Sequence, residues 1–389
     1  MDTFDIVVVG AGPAGLGFVR SLKGSGLKIA VVERLSEAVL ADPPEDGRDI
    51  ALTHASEDIM HTLGMWQHIH EDACGVIRDA KVVNGHSDYA LHFESAGSGK
   101  DYLGRIVPNH LIRRAAYAEV QSLPDVTLIA EASVEAVETG RVTLDDGRTL
   151  AASLVVAADS RFSDTRRNMG IGADMEDFGR VVIVCEMAHA LPHDGVASEC
   201  FHYDQTLAIL PMHGDVSSVV VTLASDKAEA AMSMPDAAFA ADIQARFGRK
   251  LGKMELVSKR VSYPLVGVFA KRFVAPRFAL VGDAAVGMHP VTAHGFNLGL
   301  TGGAMLAGKL REAVSEGRDI GDISVLLPYE RAHRKVAGPL YHGTNALVKL
   351  FTDTRLPAKI LRGAALRLGN VLPPVKARIV QQLTQDLAG

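Results

Sequence analysis

The stretch DIVVVGAGPAGLGFVRSLKGSGLKIAVVE, residues 5–33, decides the fold. Ile6 to Val9 form an unbroken apolar run, the pattern of a parallel strand covered on both faces. Gly10, Gly12 and Gly15 follow as G-x-G-x-x-G, with Ala14 among them, and a helical stretch runs on to about Lys23. Gly24-Ser25-Gly26 makes a turn, and Leu27 to Val32 form a second strand that delivers Glu33 and Arg34. Gly10 permits the tight turn, Gly12 lets backbone approach a pyrophosphate, and Gly15 lets helix and strand pack closely. The helix N-terminus offers N–H groups and a partial positive charge to phosphate. Glu33, about 20 residues beyond the glycines, suits ribose hydroxyls. This is a complete βαβ dinucleotide unit.

Two further strand ends carry ligand-type residues. Asp159 follows the apolar run Leu154 to Ala158. GDAAVGMHPVTAHGFNLGL, residues 282–300, follows Phe278 to Val281. A simple NAD dehydrogenase has little use for a second phosphate-type turn so late in the chain. Three dispersed contact points imply a long cofactor held along its length.

At this point the residues resemble a family. Gly10-x-Gly12-x-x-Gly15 with Glu33, Asp159-Ser160-Arg161, and Gly282-Asp283 with Pro290 resemble the group A FAD-dependent aromatic hydroxylases over most of the chain. DGRDIAL (46–52), the 282–300 segment and LPPVK (372–376) are similar to the ubiquinone-biosynthesis hydroxylases, nearest the 5-demethoxyubiquinol 5-hydroxylase type. The resemblance implies an α/β fold: a Rossmann-like FAD-binding domain, a β-rich substrate domain of the p-hydroxybenzoate hydroxylase type, and a C-terminal helical tail. It also implies non-covalent FAD, with NAD(P)H and O₂ as cosubstrates. No second G-x-G-x-x-G is present, in keeping with a family that lacks a separate nicotinamide domain.

Carried onto this chain, the resemblance gives Glu33 the adenosine ribose, with Arg34 beside it, and Arg48 the phosphate side of FAD. Arg113 falls where a side chain meets the cofactor, and Asp283 takes ribityl or ribose hydroxyls. Pro290 sits beside the flavin ring, while Gly295, Phe296 and Asn297 present backbone N–H groups to its N1 and C2 carbonyl. A helix starting there favours negative charge on reduced flavin. Pro290, His294 and Gly295 thus define the flavin environment, with no acid or base assigned. Two departures stand out: Ser160 where the family has glycine, and His294 where it has glutamine or arginine.

Composition sets the bounds. The 389 residues are 48% hydrophobic and 22% charged, which fits a large core and two domains. A net charge of −6 argues against a nucleic-acid surface. Cys74, Cys185 and Cys200 make no Cys-x-x-Cys pair, so neither a disulfide framework nor a thiolate zinc site is expected. The N-terminus lacks a basic region and cleavage site, and apolar runs break within about ten residues. A cytoplasmic protein is expected, or one peripheral on the cytoplasmic side of the inner membrane.

His54, His61 and His68 recur every seven residues on an apparent helix, roughly 10 Å apart at each step, too far to share a metal ion. No G-x-S-x-G elbow marks a serine hydrolase. Gly295, Gly299 and Gly302 or Gly303 fall on one helical face, which calls for close packing against a strand or the cofactor.

VVIVCEM, SECFHY, TLAILPMH and SSVVVTLA, between residues 181 and 224, read as an antiparallel sheet. The expected division is 1–75 with 108–171 and 263–345 for FAD, 76–107 with 172–262 for substrate, and 346–389 as a helical segment. Phe201, Tyr203, Leu210 and Met212 are pocket candidates. His202, Tyr203 and His213 are candidate bases, and spacing selects none of them. In residues 355–378, six Lys and Arg with no acid flank an apolar stripe, the pattern of a basic amphipathic helix. It suits a membrane surface or a biosynthetic complex, and a homo-oligomer is also open. The reading is a ring hydroxylase of a polyprenylated phenol or quinol. The alternatives are a hydroxylase of a small soluble phenol and a non-catalytic flavin-binding subunit.

Overall fold

The computed structural model describes residues 2–84, 90–95, 100–202, 205–289, 294–353 and 355. Its principal elements are β1 (Asp2–Val9), α1 (Pro13–Ser21), β2 (Ile29–Val32), β3 (Asp49–Leu52), β4 (Asp79–Asn84), β5 (Thr149–Ala157), β6 (Ala173–His189), β7 (Val196–His202), β8 (Gln205–Pro211), β9 (Val216–Ala224), β10 (Val261–Ala270), β11 (Phe278–Leu280), α2 (His294–Ser315) and α3 (Ile323–Thr352).

The apolar runs become the centre of the first sheet. β11, β5, β1 and β2 lie side by side in that order, each pair parallel, and Val126–Ile129 extends the sheet beyond β2. Ile6, Val7, Val8, Leu154, Val155 and Phe278 are wholly inaccessible, as expected of strands covered on both faces. Because these strands run the same way, their carboxyl ends line one edge, where open α/β sheets take ligands.

Among the described residues the second sheet has nine strands, with β10, β6, β9, β8, β7 and β4 in order across it. Antiparallel pairing holds throughout this row except at one place: β7 runs parallel to β4. One face packs Ile183, Cys185, Leu207 and Val219 against Phe239 and Ile243 of the helix Asp236–Arg246. β10 joins this sheet and, through Val286–Gly287, links it to the segment that follows β11. α3 continues across residues 345 and 346 as one helix.

One expectation is corrected and another is narrowed. The helix carrying His54 and His61 ends at Thr62, and Gly64, at φ +77°, turns the chain before His68. His68 instead meets Glu119 at 2.9 Å. Of the α2 glycines, Gly299 and Gly303 share the face against Ala14 and Phe18 of α1, so Gly303 rather than Gly302 belongs to that face; Gly302 meets the His333 ring of α3.

His333 is 1% exposed, stacked near Phe273 and Tyr329 at 5.5 and 5.7 Å. Burial disfavours its cation and pushes its pKa down to about 4. The folded state therefore holds it neutral, and its contribution is complete above about pH 6.5 and lost as pH falls towards 4. Between pH 7 and 4, wild type is expected to lose about 3 kcal/mol more unfolding free energy than His333→Phe, measured by urea titration. Parallel pH profiles for the two proteins would rule this out.

Candidate functional site

Gly10, Asp159 and Gly282 leave β1, β5 and β11 within a few residues of their carboxyl ends, so three adjacent loops share one edge. At Gly10, φ is +105° and an added Cβ would lie 2.6 Å from the Ala158 carbonyl oxygen. A Cβ on Gly15 would overlap the Gly10 carbonyl oxygen. Gly12 is the opposite case. Its Cβ would meet nothing within 4 Å, and as the N-cap of α1 it carries no side-chain cap. The helix N-terminus thus opens onto space where a pyrophosphate would sit.

Glu33 closes the next loop. Its Oε2 accepts from the Ala11 N–H at 2.7 Å and its Oε1 from the Leu35 N–H at 3.0 Å. Arg34 beside it is exposed. Asp159 Oδ2 accepts from the Thr165 hydroxyl at 3.0 Å. Its Oδ1 is sealed from solvent and has no partner among the described residues, an acceptor that lacks a donor.

The third loop is tied to the second. Arg161 donates to Asp283 Oδ2 from Nη2 at 2.8 Å and Nε at 3.2 Å, and to the Val266 carbonyl at 3.1 Å. Arg166, 2% exposed, donates to the Ala284 and Arg161 carbonyls at 2.9 and 3.1 Å. Ser160 accepts from the Phe162 N–H at 3.2 Å. Nothing in the sequence motifs marks Arg166 as the residue that fixes this loop. Gly282 (φ +61°) packs so closely that its Cβ would lie 2.8 Å from that of Ala14, and a Cβ on Gly299 would lie 3.2 Å from Gly282 Cα. Ala14, Gly282 and Gly299 therefore bring α1, the third loop and α2 into contact.

α2 starts at His294, beside Gly295 and Phe296. First-turn N–H groups have no partner inside their own helix, which suits this end to the polar edge of a ring. The Asn297 side chain accepts from the Thr53 N–H at 3.1 Å and donates to the Ala51 carbonyl at 2.9 Å, so it anchors α2 to β3. Pro290 and Tyr203 lie outside the described residues, as does the chain beyond 355. Arg48 pairs with Asp46 and lies over Tyr263 at 5.4 Å, where Arg113 also acts on the phenol.

The second sheet turns one face to this site. Strand register places Glu199, Ala208, Val220 and Val184 in one row, with Phe201, Thr206, Thr222 and Val182 beside it. Leu210, Ser218 and Glu186 form the row on the other side. Gly47 packs against Val184 and Val261, and the Tyr263 hydroxyl donates to the Asp46 carbonyl at 2.6 Å. His289 meets Phe178 edge-on at 5.1 Å, in the cluster of Val182 and Val184. Of the pocket candidates, Phe201 and Leu210 lie on this face. By alternation His202 points to the other face, Met212 is buried just past β8, and His213 is exposed at the following turn.

A family model described as an FAD binding domain matches residues 3–342. The ubiquinone hydroxylase UbiM of Neisseria meningitidis is 50% identical over 98% of this chain and 84% of its own length. The ubiquinone hydroxylase UbiL of Rhodospirillum rubrum is 36% identical over 94% of this chain and 86% of its own length. Among solved structures, pqsL, a probable FAD-dependent monooxygenase from Pseudomonas aeruginosa, superposes with a TM-score of 0.76. That match has 20% identity and covers 94% of this chain and all of the other, so it shows the fold. The chain belongs to the FAD-binding-domain family of FAD-dependent monooxygenases and, within it, to the ubiquinone hydroxylases.

Proposed function

We propose that this protein hydroxylates the aromatic ring of a polyprenylated phenol or quinol in ubiquinone biosynthesis, using NAD(P)H and O₂. The observation that carries the reading is the 50% identity to a ubiquinone hydroxylase over nearly the whole chain, joined to a strand-end site that fits FAD. Gly10, Gly12 and Gly15 would hold the pyrophosphate at α1, and Glu33, already turned to that edge, the adenosine ribose. Ala14 packs beside the third loop, and Arg34, Arg48 and Arg113 supply the positive side of the site. Asp159 Oδ1 and the Asp283 carboxylate would accept cofactor hydroxyls, and Gly282 would let the chain pass beneath. The first turn of α2, from His294 through Gly295 and Phe296 to Asn297, would stabilise negative charge at the ring.

Bound flavin supplies, after reduction, the electrophilic oxygen drawn from O₂. The protein's own part would be to seat the substrate ring against the sheet face and to exclude water. We assign 1–75, 108–171 and 263–345 to cofactor binding and 76–107 with 172–262 to the substrate side. β10 then contributes its edge to the substrate sheet. The basic segment of 346–389 is the part we expect to meet a membrane surface or partner subunits.

Expression in bacterial strains each lacking one ubiquinone ring hydroxylase tests the reading. Ubiquinone restored in at least one strain, seen by mass spectrometry, is the expected result and identifies the ring position. No restoration by a flavin-loaded protein would move the assignment to a small soluble phenol.

A further inference from the structure

The substrate face carries a carboxyl group that the family motifs do not explain. Glu199 lies mid-strand in β7, between Val82 of β4 and Ala208 of β8 in register. Its neighbours along β7 on the same face are Ala197 and Phe201, so an acid breaks an otherwise apolar line. The Thr206 hydroxyl favours its charged form. Its Oε1 is sealed from bulk solvent and has no partner among the described residues. A carboxylate oxygen sealed without a donor is costly, and groups of this kind cluster at functional sites.

Position supports a role in the reaction. The same face receives Gly47, Asp46 and His289 from the cofactor side, so Glu199 shares a surface with the segments expected to border the flavin. Asp49 and Glu186 also lie towards this face, but at the end covered by the 46–49 segment itself. At Glu199 the roof is apolar: the Phe351 ring of α3 packs tilted against Phe201, centroids 4.2 Å apart, with Leu91 and Phe93 alongside. The row offers a ring an apolar bed with one polar group in it.

We propose that Glu199 is the catalytic base, its Oε1 accepting the proton of the substrate's ring hydroxyl. The substrate O–H bond breaks, an Oε1–H bond forms, and the electron pair stays on the ring oxygen as phenolate. No oxidation accompanies this step, and the electron-rich ring is then ready for attack by electrophilic oxygen. This assignment rests on the phenol or quinol reading above.

The chemistry is matched. Burial pushes the Glu199 carboxyl up to about 8, against the stabilising Thr206 hydroxyl. A phenol titrates near 10, so the proton moves about two units uphill rather than about six to an ordinary carboxylate. Among the described residues no charged group enters on this face from the flanking strands: β8 presents Thr206 and Ala208, and β4 presents Val82 and Asn84. Asp79, Lys81 and Cys200 lie on the opposite side of the sheet by alternation. From the covering α3, the nearby Lys349 is engaged with Glu176, and Asp353 with Arg355.

The test compares wild-type, Glu199→Gln and Glu199→Asp holoenzymes with 2-prenylphenol as probe. FAD content, NAD(P)H-driven flavin reduction and probe binding are expected within threefold of wild type in both variants. Hydroxylated product from Glu199→Gln is expected to fall about 100-fold at pH 8, with NAD(P)H still consumed and its electrons passed to O₂ as hydrogen peroxide. Its rate should then climb about tenfold per pH unit towards 10 as the phenol ionises unaided, whereas wild type levels off above about 8. Glu199→Asp should recover part of the activity. Wild type that hydroxylates while Glu199→Gln stays within threefold of it overturns this proposal alone. Wild type that never hydroxylates the probe overturns the substrate reading and this proposal together.

Discussion

Gly15→Ala is expected to yield protein that neither folds stably nor retains flavin, while Gly12→Leu folds and loses only the flavin. The contrast follows from what each new side chain meets. A Cβ at Gly15 would overlap the Gly10 carbonyl oxygen, a backbone atom that cannot swing away. Relief requires α1 to lift off β1, breaking contacts of Leu16, Phe18 and Val19, all 1% exposed or less. A loss of more than about 4 kcal/mol is expected, in the range of severe core disruption. A leucine at position 12 has open space for its Cβ and should change stability by less than about 1 kcal/mol. It would occupy the place of the pyrophosphate, so FAD affinity should fall at least 100-fold. Circular dichroism with the flavin-to-protein ratio separates the outcomes. Gly12→Leu that keeps its flavin would remove the pyrophosphate from the α1 N-terminus.

Arg166→Ala carries the second large effect. Arg166 is buried and donates to two carbonyls, one of them Ala284 in the loop of Asp283. Truncation leaves both carbonyls short of a donor and opens a cavity, which together cost about 3 kcal/mol or more. The loop that should carry Asp283 and lead to α2 then loosens, and FAD affinity should drop at least tenfold. Arg167→Ala is the control. Its partner Asp164 is mostly exposed, so a change within about 0.5 kcal/mol is expected. Equal urea midpoints for the two variants would show that the loop is held by other means.

How far the sequence can be read depends on the distance over which each interaction acts. The close packing at Gly10 and Gly15 and the open helix start at Gly12 are local, set by one turn and one helix start, and the motif spells them out. The three strand ends with ligand-type residues are also local, although their assembly on one edge needs the parallel order of β11, β5, β1 and β2. The ties that hold the site span far more chain. Arg166 reaches Ala284 across 118 residues, and Asn297 reaches Thr53 across 244. No periodicity signals either. On the substrate side, alternation separates Phe201 from His202 but cannot say which face looks towards the cofactor. That is why His202 and His213 stood level with Tyr203 as bases, and why Glu199 drew no notice. The parallel pairing of β7 with β4 was hidden too, since each strand alone reads like its antiparallel neighbours. The seven-residue histidine spacing misled for a local reason: Gly64 ends the helix before His68.

The most direct test of the central claim is isotope transfer. Purified FAD-loaded protein would be given NAD(P)H, ¹⁸O₂ and a short-chain polyprenylphenol, and the product read by mass spectrometry. One ¹⁸O atom per hydroxylated ring is expected, formed only when both NAD(P)H and substrate are present. Unchanged substrate, with NAD(P)H idle or consumed only to peroxide, would contradict the claim.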